Sequence, residues 1–352
     1  MSAPNRLARR STLLLTLTAA VGIALTLIIA EMAVRVLLPM KAPATERAVF
    51  LQYDSLLGWS HKPGQRARFV QYDFQVDVSI NRLGLRDSEY SARKGERHRL
   101  LVIGDSFAWG FGVEHDERFT EVLEERHPEW EVINAGVNGY GTGQELLYLK
   151  DRGMSLDPDV VLLLVHPNDF ENNVASEQYW YFKPRFMIDG DEILLGNVPV
   201  PRATVEQRLR RLILGRTYLG QVLAGAWRRV KSAPGRQPVQ NPGDSVLKGA
   251  ALTERLLREI HRVCRTGSAE FVLVSVPMPE EARSILTRVA TENGIPFLAL
   301  DSTFENGVTT PPLTFPHDEH WTAHGHRLAA ESIEKFLHET GILGSPDGGG
   351  SG

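Results

Sequence analysis

From Arg99 onward, short strand-like runs alternate with longer amphipathic ones, and that rhythm leaves few folds open. The strand candidates are Leu100–Ile103, Glu131–Ile133, Val160–Val165, Phe271–Val276 and Phe297–Leu300. Helical patterns lie between and after them, at Glu117–Arg126, Gln144–Arg152, Leu252–Arg265, Glu281–Asn293 and Ala323–His338. A short run that is apolar at every position suits a strand covered on both faces. Strand–helix alternation of this kind predicts an α/β fold with a parallel five-stranded sheet between helices. Right-handed crossovers then bring the C-terminal ends of the strands to one edge, where ligands of open α/β sheets bind.

Each strand end delivers suspicious residues to that edge. The first run stops at Gly104-Asp105-Ser106. Gly, Asp and Ser are ordinary turn formers, so this window alone leaves Ser106 either a turn residue or a nucleophile. The second strand leads into INAGVNGYGTG, and the third into VHPNDFENN with Asn168 and Asp169. Just before the C-terminal helix, FPHDEHWTAHGH carries Asp318 and His320.

Acyl transfer is the chemistry this set permits. A serine hydroxyl needs a base to take its proton, and histidine titrates close enough to neutrality to do so. A carboxylate fixes the imidazole tautomer and stabilises its cation. Asp318 and His320 are two apart, so an extended segment places them on one face. Backbone N–H groups at Ser106 and at a glycine of the second turn, with the Asn168 amide, could meet the oxyanion.

Four blocks in order, GDSF, NAGVNG, HPND and DEHW, resemble the SGNH or GDSL-type hydrolase superfamily. The resemblance covers about Arg99 to Leu343 and implies a flavodoxin-like three-layer α/β/α sandwich. It implies that Ser106 is the nucleophile, His320 the base and Asp318 its acidic partner. It also implies an oxyanion hole of Ser106, Gly139 and Asn168, because Gly139 stands five residues after Asn134, as in the family's second block. Two positions depart from the usual pattern. The family most often spaces the acid three residues before the histidine, where this chain has His317. The two-residue spacing looks like that of members acting on exported polysaccharide, including alginate O-acetylation proteins. The third block carries His166 in place of the commoner glycine-containing form. His317, His324 and His326 crowd the same segment without a clear carboxylate set, so no metal site is expected there. No cofactor is implied.

The N-terminus suggests where such a site would work. MSAPNRLARR is basic, and Thr12–Ala30 follows without a charge, long enough to span a bilayer as a helix. Arg6, Arg9 and Arg10 place the short tail in the cytoplasm and all that follows outside. A cleaved signal peptide is the competing reading. The expected organisation is 1–39 as tail and transmembrane anchor, 40–98 as a β-rich extension, and 99–343 as the hydrolase-like domain. An insertion interrupts that domain at about 171–248, and 344–352 is a tail. Within the insertion, MIDGDEILLG reads as a hairpin and Val205–Lys231 as an amphipathic helix or pair with a basic face. Such a face is either solvated, on a helix docked to the domain, or part of a lid or lipid-facing surface.

Lys plus Arg number 39 and Asp plus Glu 43, so no basic excess points to nucleic acid. Cys264 stands alone, which excludes an intrachain disulfide. The expectation is an extracytoplasmic serine esterase, single-pass in the inner membrane with a periplasmic catalytic domain. Its substrate would be an acylated glycan or lipid-linked sugar. An O-acyltransferase using the same acyl-enzyme, supplied by a membrane acyltransferase partner, is the first alternative. A non-catalytic glycan-binding or assembly component is the second.

Overall fold

A computed structural model describes residues 4–37, 49–91, 93–178, 181–190, 192–214, 217–220, 222–223, 242–304 and 310–343. The chain divides into two compact units, 1–44 with 205–238, and 45–204 with 239–352.

The first unit contains α1 (Pro4–Leu37). Its stretch Ser11–Leu37, in which an 18-residue window has a mean hydropathy of 2.5, is long and apolar enough to cross a membrane, a test that a signal sequence also passes. Near its end, the Glu31 carboxylate accepts N–H bonds from Tyr218 at 3.0 Å and Leu219 at 2.8 Å. Arg35, one turn on, pairs with Glu31 at 2.9 Å and lies over the Tyr218 ring. The basic stretch of the insertion is thus tied to the apolar N-terminal helix, a contact spanning more than half the chain. The part of Val205–Lys231 beyond Leu223 and the tail 344–352 lie outside the described residues.

The second unit opens with two hairpins, β1 (Leu51–Asp54) with β2 (Gly58–His61) and β3 (Arg66–Val70) with β4 (Gln75–Ser79). The alternating Val76, Val78 and Ile80 are buried with Phe50 and Phe69 around Trp109. The sheet core begins at β5 (His98–Gly104), followed by α2 (Ser106–Trp109) and α3 (Phe119–Arg126). Then come β6 (Trp130–Asn134), α4 (Thr142–Asp151), β7 (Val160–Val165) and α5 (Asn168–Val174). Two small hairpins follow, β8 (Glu177–Gln178) with β9 (Tyr181–Phe182) and β10 (Arg185–Asp189) with β11 (Glu192–Gly196). In the first unit α6 spans Val205–Leu214. The second unit resumes with α7 (Pro242–Thr266), β12 (Glu270–Ser275) and α8 (Glu280–Asn293). It closes with β13 (Phe297–Ala299), α9 (Asp301–Phe304) and α10 (Ala323–Glu339).

The five core strands run in the order β13-β12-β7-β5-β6, and all pairs are parallel. Successive side chains on each strand serve opposite layers. Leu101, Ile103, Val161, Leu163 and Leu273 pack under α4, α7 and α8. Leu100, Val102, Leu162, Leu164 and Val274 pack under α3 and α10. The result is the three-layer sandwich, with every residue of β7 buried. Cys264 is buried in the α7 layer.

The segment between β4 and β5 braces the sheet edge with charge. Buried Arg86 donates to the carbonyls of Trp109 at 3.1 Å and Val113 at 2.5 Å, and also to that of Gly110. Its guanidinium lies over the Trp109 ring, 4.5 Å from the centroid. Arg118, also buried, donates to the Arg86 carbonyl and pairs with Asp87 at 3.1 Å. The other oxygen of Asp87 accepts the Asn134 N–H at 2.6 Å.

Arg86→Met leaves several buried carbonyls without donors. It is expected to destabilise the second unit by about 3 kcal/mol or more. Arg86→Lys should not rescue it, because an ammonium lacks the planar fork. Denaturant unfolding checks both. A second prediction concerns acid. Burial pushes His61 down to about 4 and His326 down to about 3, with nearby Arg86 reinforcing both. Unfolded imidazoles titrate near 6.5, so between pH ~6.5 and ~4 the unfolded chain binds protons that these folded histidines refuse. Their contribution to stability is therefore lost as pH falls through that window, by about 1.4 kcal/mol per pH unit for each proton. In His326→Gln the slope of stability against pH should flatten by that amount; an unchanged slope would contradict it.

Candidate active site

Ser106 begins α2 directly where β5 ends. Asp105 caps this short helix, its Oδ1 accepting the Phe107 N–H at 2.9 Å. The next strand's turn must pass very close to this helix. A Cβ on Gly136 would stand 2.4 Å from the Trp109 nitrogen and 2.7 Å from the Ala108 carbonyl carbon, so only glycine fits. Gly139, three residues on, has φ +77°, a left-handed conformation that glycine adopts without strain.

His320 reaches Ser106 from a tight turn near the C-terminus. Thr314 and Trp321 form an antiparallel bridge, and the Phe315 N–H bonds the His320 carbonyl at 3.1 Å. Inside that loop, Asp318 Oδ1 accepts the His320 backbone N–H at 3.2 Å and also meets His320 Nδ1. His320 Nε2 lies 2.7 Å from Ser106 Oγ. The two-residue spacing therefore closes because one carboxylate oxygen serves both the backbone and the ring of its neighbour. His317, at the position three before His320, turns the other way. Its Nδ1 pairs with Asp73 of the β3–β4 turn at 2.7 Å, and its backbone N–H donates to the same carboxylate.

Aromatic stacking fixes the imidazole plane. Phe107 and Phe111 flank His320, with centroids 4.8 and 4.2 Å away and interplanar angles of 29° and 27°. Phe107 also stacks on His166 at 4.8 Å. The order His166, Phe107, His320, Phe111 is thus a stacked row, and His166 takes part through its face. Thr322 then caps α10, accepting the Gly325 N–H at 3.3 Å, and His324 and His326 fall in its first turn.

Asn168 begins α5 at the end of β7. Its backbone N–H donates to His166 Nδ1 at 3.2 Å, and its Oδ1 is buried without a protein partner among the described residues. The N–H groups of Ser106 and Gly139 enter no turn or loop hydrogen bond among the described residues. Ser106, Asp318 and His320 are directly joined, while Gly139 and Asn168 occupy the turn and helix start beyond the neighbouring strands β6 and β7.

Beneath these turns Asp105 and Asp169 are buried in one set with Glu145 and Lys183, two residues that the sequence does not single out. Burial pushes the Glu145 and Asp169 carboxyls well above the usual range, and the neighbouring acids push the same way. Burial also lowers Lys183 to about 8, against the pull of Asp169 and Glu145. Lys183 Nζ donates to the Asn172 carbonyl at 2.8 Å, and Asp169 Oδ2 accepts the His166 N–H at 3.1 Å. A residue of the insertion thus partly neutralises the acids beside Asn168.

A cavity of about 490 Å³ adjoins the stacked row, with Phe107, His166, Leu313, Glu319 and Trp321 among its walls. Ser106 does not line it; it meets the site through Phe107 and His166.

Comparison with known proteins places the chain in a family. A model of the GDSL-like lipase/acylhydrolase family matches residues 102–328. No curated protein matches the chain. Among solved structures, TesA is similar at 13% identity, covering 69% of this chain and 99% of its own, with a TM-score of 0.42. The psychrotrophic esterase EstA from Pseudoalteromonas sp. is similar at 13% identity over 68% and 99%, with a TM-score of 0.41. The acetyl xylan esterase AlAXEase is similar at 15% identity over 67% and 98%, with a TM-score of 0.39. The matched span holds Ser106 and His320 together with the strands that present them, and the chain belongs to the GDSL-like lipase/acylhydrolase family of ester-hydrolysing serine enzymes.

Proposed function

We propose that this chain is a membrane-tethered, extracytoplasmic serine esterase that removes acyl groups from a glycan or lipid-linked sugar. The observation that carries the chemistry is the hydrogen-bonded chain from Ser106 through His320 to Asp318. In this reading Ser106 Oγ attacks the ester carbonyl as His320 Nε2 takes its proton. Asp318 holds Nδ1–H and stabilises the imidazolium. The N–H groups of Ser106 and Gly139 and the amide of Asn168 receive the negative charge on the carbonyl oxygen. His320 then gives that proton to the leaving sugar oxygen, which departs as a hydroxyl as the C–O bond breaks. Water, deprotonated by the same imidazole, attacks the acyl-enzyme and frees the acid. The tether rests on the apolar stretch Ser11–Leu37, and the basic residues before it favour an outside location for the site.

A second reading, transfer of the acyl group to a sugar hydroxyl, is favoured by the two-residue Asp318–His320 spacing seen in polysaccharide-modifying members of the family. The acyl-enzyme is the same, and the acceptor alone differs. Transfer requires an acyl donor outside the membrane, which a membrane acyltransferase partner could supply.

Turnover of 4-nitrophenyl acetate tests the nucleophile. Ser106→Ala is expected to lower it by roughly 10⁴-fold or more. Asn168→Ala should lower kcat on the order of 10² to 10³-fold with little change in KM. Equal rates in wild type and Ser106→Ala would contradict the mechanism and favour a glycan-binding component. Product analysis with an oligosaccharide acceptor separates the two acyl-enzyme readings: free acid alone supports the esterase, and an acylated sugar supports transfer.

A further inference from the structure

Away from Ser106, the end of α3 meets the last turns of α10 through three side chains of metal-ligating type. His127 closes α3, and its Nε2 lies 2.8 Å from Glu334 Oε1. His338 stands four residues after Glu334 on α10, so the two share a helix face. One ligand atom from each of His127, Glu334 and His338 lies within 4.8 Å of the others.

The hydrogen bonding around this trio is incomplete in a way that points to a cation. His127 Nδ1 lies 3.0 Å from Glu129 Oε1. A carboxylate at that position is the outer-sphere partner that orients metal-bound histidines. His127 Nε2 and Glu334 Oε1, 2.8 Å apart, then supply two of the cluster's three ligand atoms. His338 Nδ1 is buried and has no hydrogen-bond partner among the described residues. The two imidazole centroids are 5.4 Å apart. Arg126 occupies the other oxygen of Glu334 at 2.8 Å and approaches Glu331 at 3.7 Å, leaving Oε1 facing His127. Glu129, Glu331 and Glu334 outnumber that one arginine around the cluster.

We propose that His127, Glu334 and His338 bind one divalent transition-metal ion of the zinc type, with water as fourth ligand. Two imidazole nitrogens and a carboxylate oxygen are donors that zinc accepts at about 2.0–2.2 Å, and tetrahedral edges of such bonds are about 3.3 Å. The ligand atoms here all lie within 4.8 Å of one another. The bound ion would clasp α3 to α10, the helix that follows His320. It takes no part in the ester chemistry, so this proposal stands or falls separately from the proposed function.

The test uses the full chain in detergent, stripped with a chelator and titrated with ZnCl₂ or CoCl₂. One ion per chain should bind at sub-millimolar metal, the unfolding temperature should rise with metal, and Co²⁺ should give the visible absorption of a four-coordinate site. His338→Gln and Glu334→Gln should each weaken binding by about 100-fold, and Glu129→Gln by about 10-fold. Ester turnover should stay unchanged in all three variants. The proposal is overturned by the absence of saturable binding, or by stoichiometric binding that persists in a His127→Gln/His338→Gln double variant.

Discussion

Two buried arginines hold the turn on which the site is built. Arg86 donates to three successive stretches of the backbone after Ser106, at Trp109, Gly110 and Val113, and stacks on the Trp109 indole. Arg118 returns from the far end of the same loop to the Arg86 carbonyl and to Asp87. Asp87 in turn holds the N–H of Asn134, which opens the glycine-rich turn. Carbonyls that point inward from a loop have no strand or helix to satisfy them, and each left bare costs free energy. One guanidinium fork satisfies several at once. The hairpins before β5 and the segment that follows them therefore serve the sheet: Arg86 in that segment donates to the loop after Ser106, and the hairpins bury Trp109 among their own side chains.

A similar economy governs the histidine. His320 has to be held by few contacts, because Nε2 must remain open to Ser106 and to substrate. Its ring is clamped by stacking on Phe107 and Phe111 and by a single carboxylate oxygen that also caps its backbone. Phe107 and Phe111 follow Ser106 in the chain, so the loop that carries Ser106 also clamps the His320 ring. The buried Asp105, Glu145, Asp169 and Lys183 lie directly behind. Burial favours the neutral form of Glu145 and Asp169 and lowers Lys183 to about 8, which limits the charge held there.

Much of the sheet was legible in the sequence because both of its faces are covered. Val160–Val165 reads as one apolar run, and no other element of a soluble α/β domain needs that pattern so strictly. The approach of Ser106 and His320 to one sheet edge also followed from chain order, whereas the pairing of Asp318 with His320 rested on the family resemblance and on a turn whose geometry the sequence left open. The supports were not legible. Arg86, Arg118 and Lys183 look like surface residues in a sequence, since such side chains are seldom fully buried. Their partners lie on other elements, and only tertiary placement identifies them. The same holds for Glu31, whose contacts with Tyr218 and Leu219 tie the basic stretch of the insertion to the N-terminal helix. Likewise, His127 and Glu334 are 207 positions apart.

The central claim is that His320 activates Ser106 as a nucleophile. Its most direct test is covalent: exposure to a fluorinated alkylphosphonate, followed by mass analysis of the intact chain and its peptides. The account predicts one phosphonyl group per chain, carried by Ser106, forming far more slowly in His320→Ala. An adduct on another residue, or labelling of Ser106 at the same rate without His320, would contradict it.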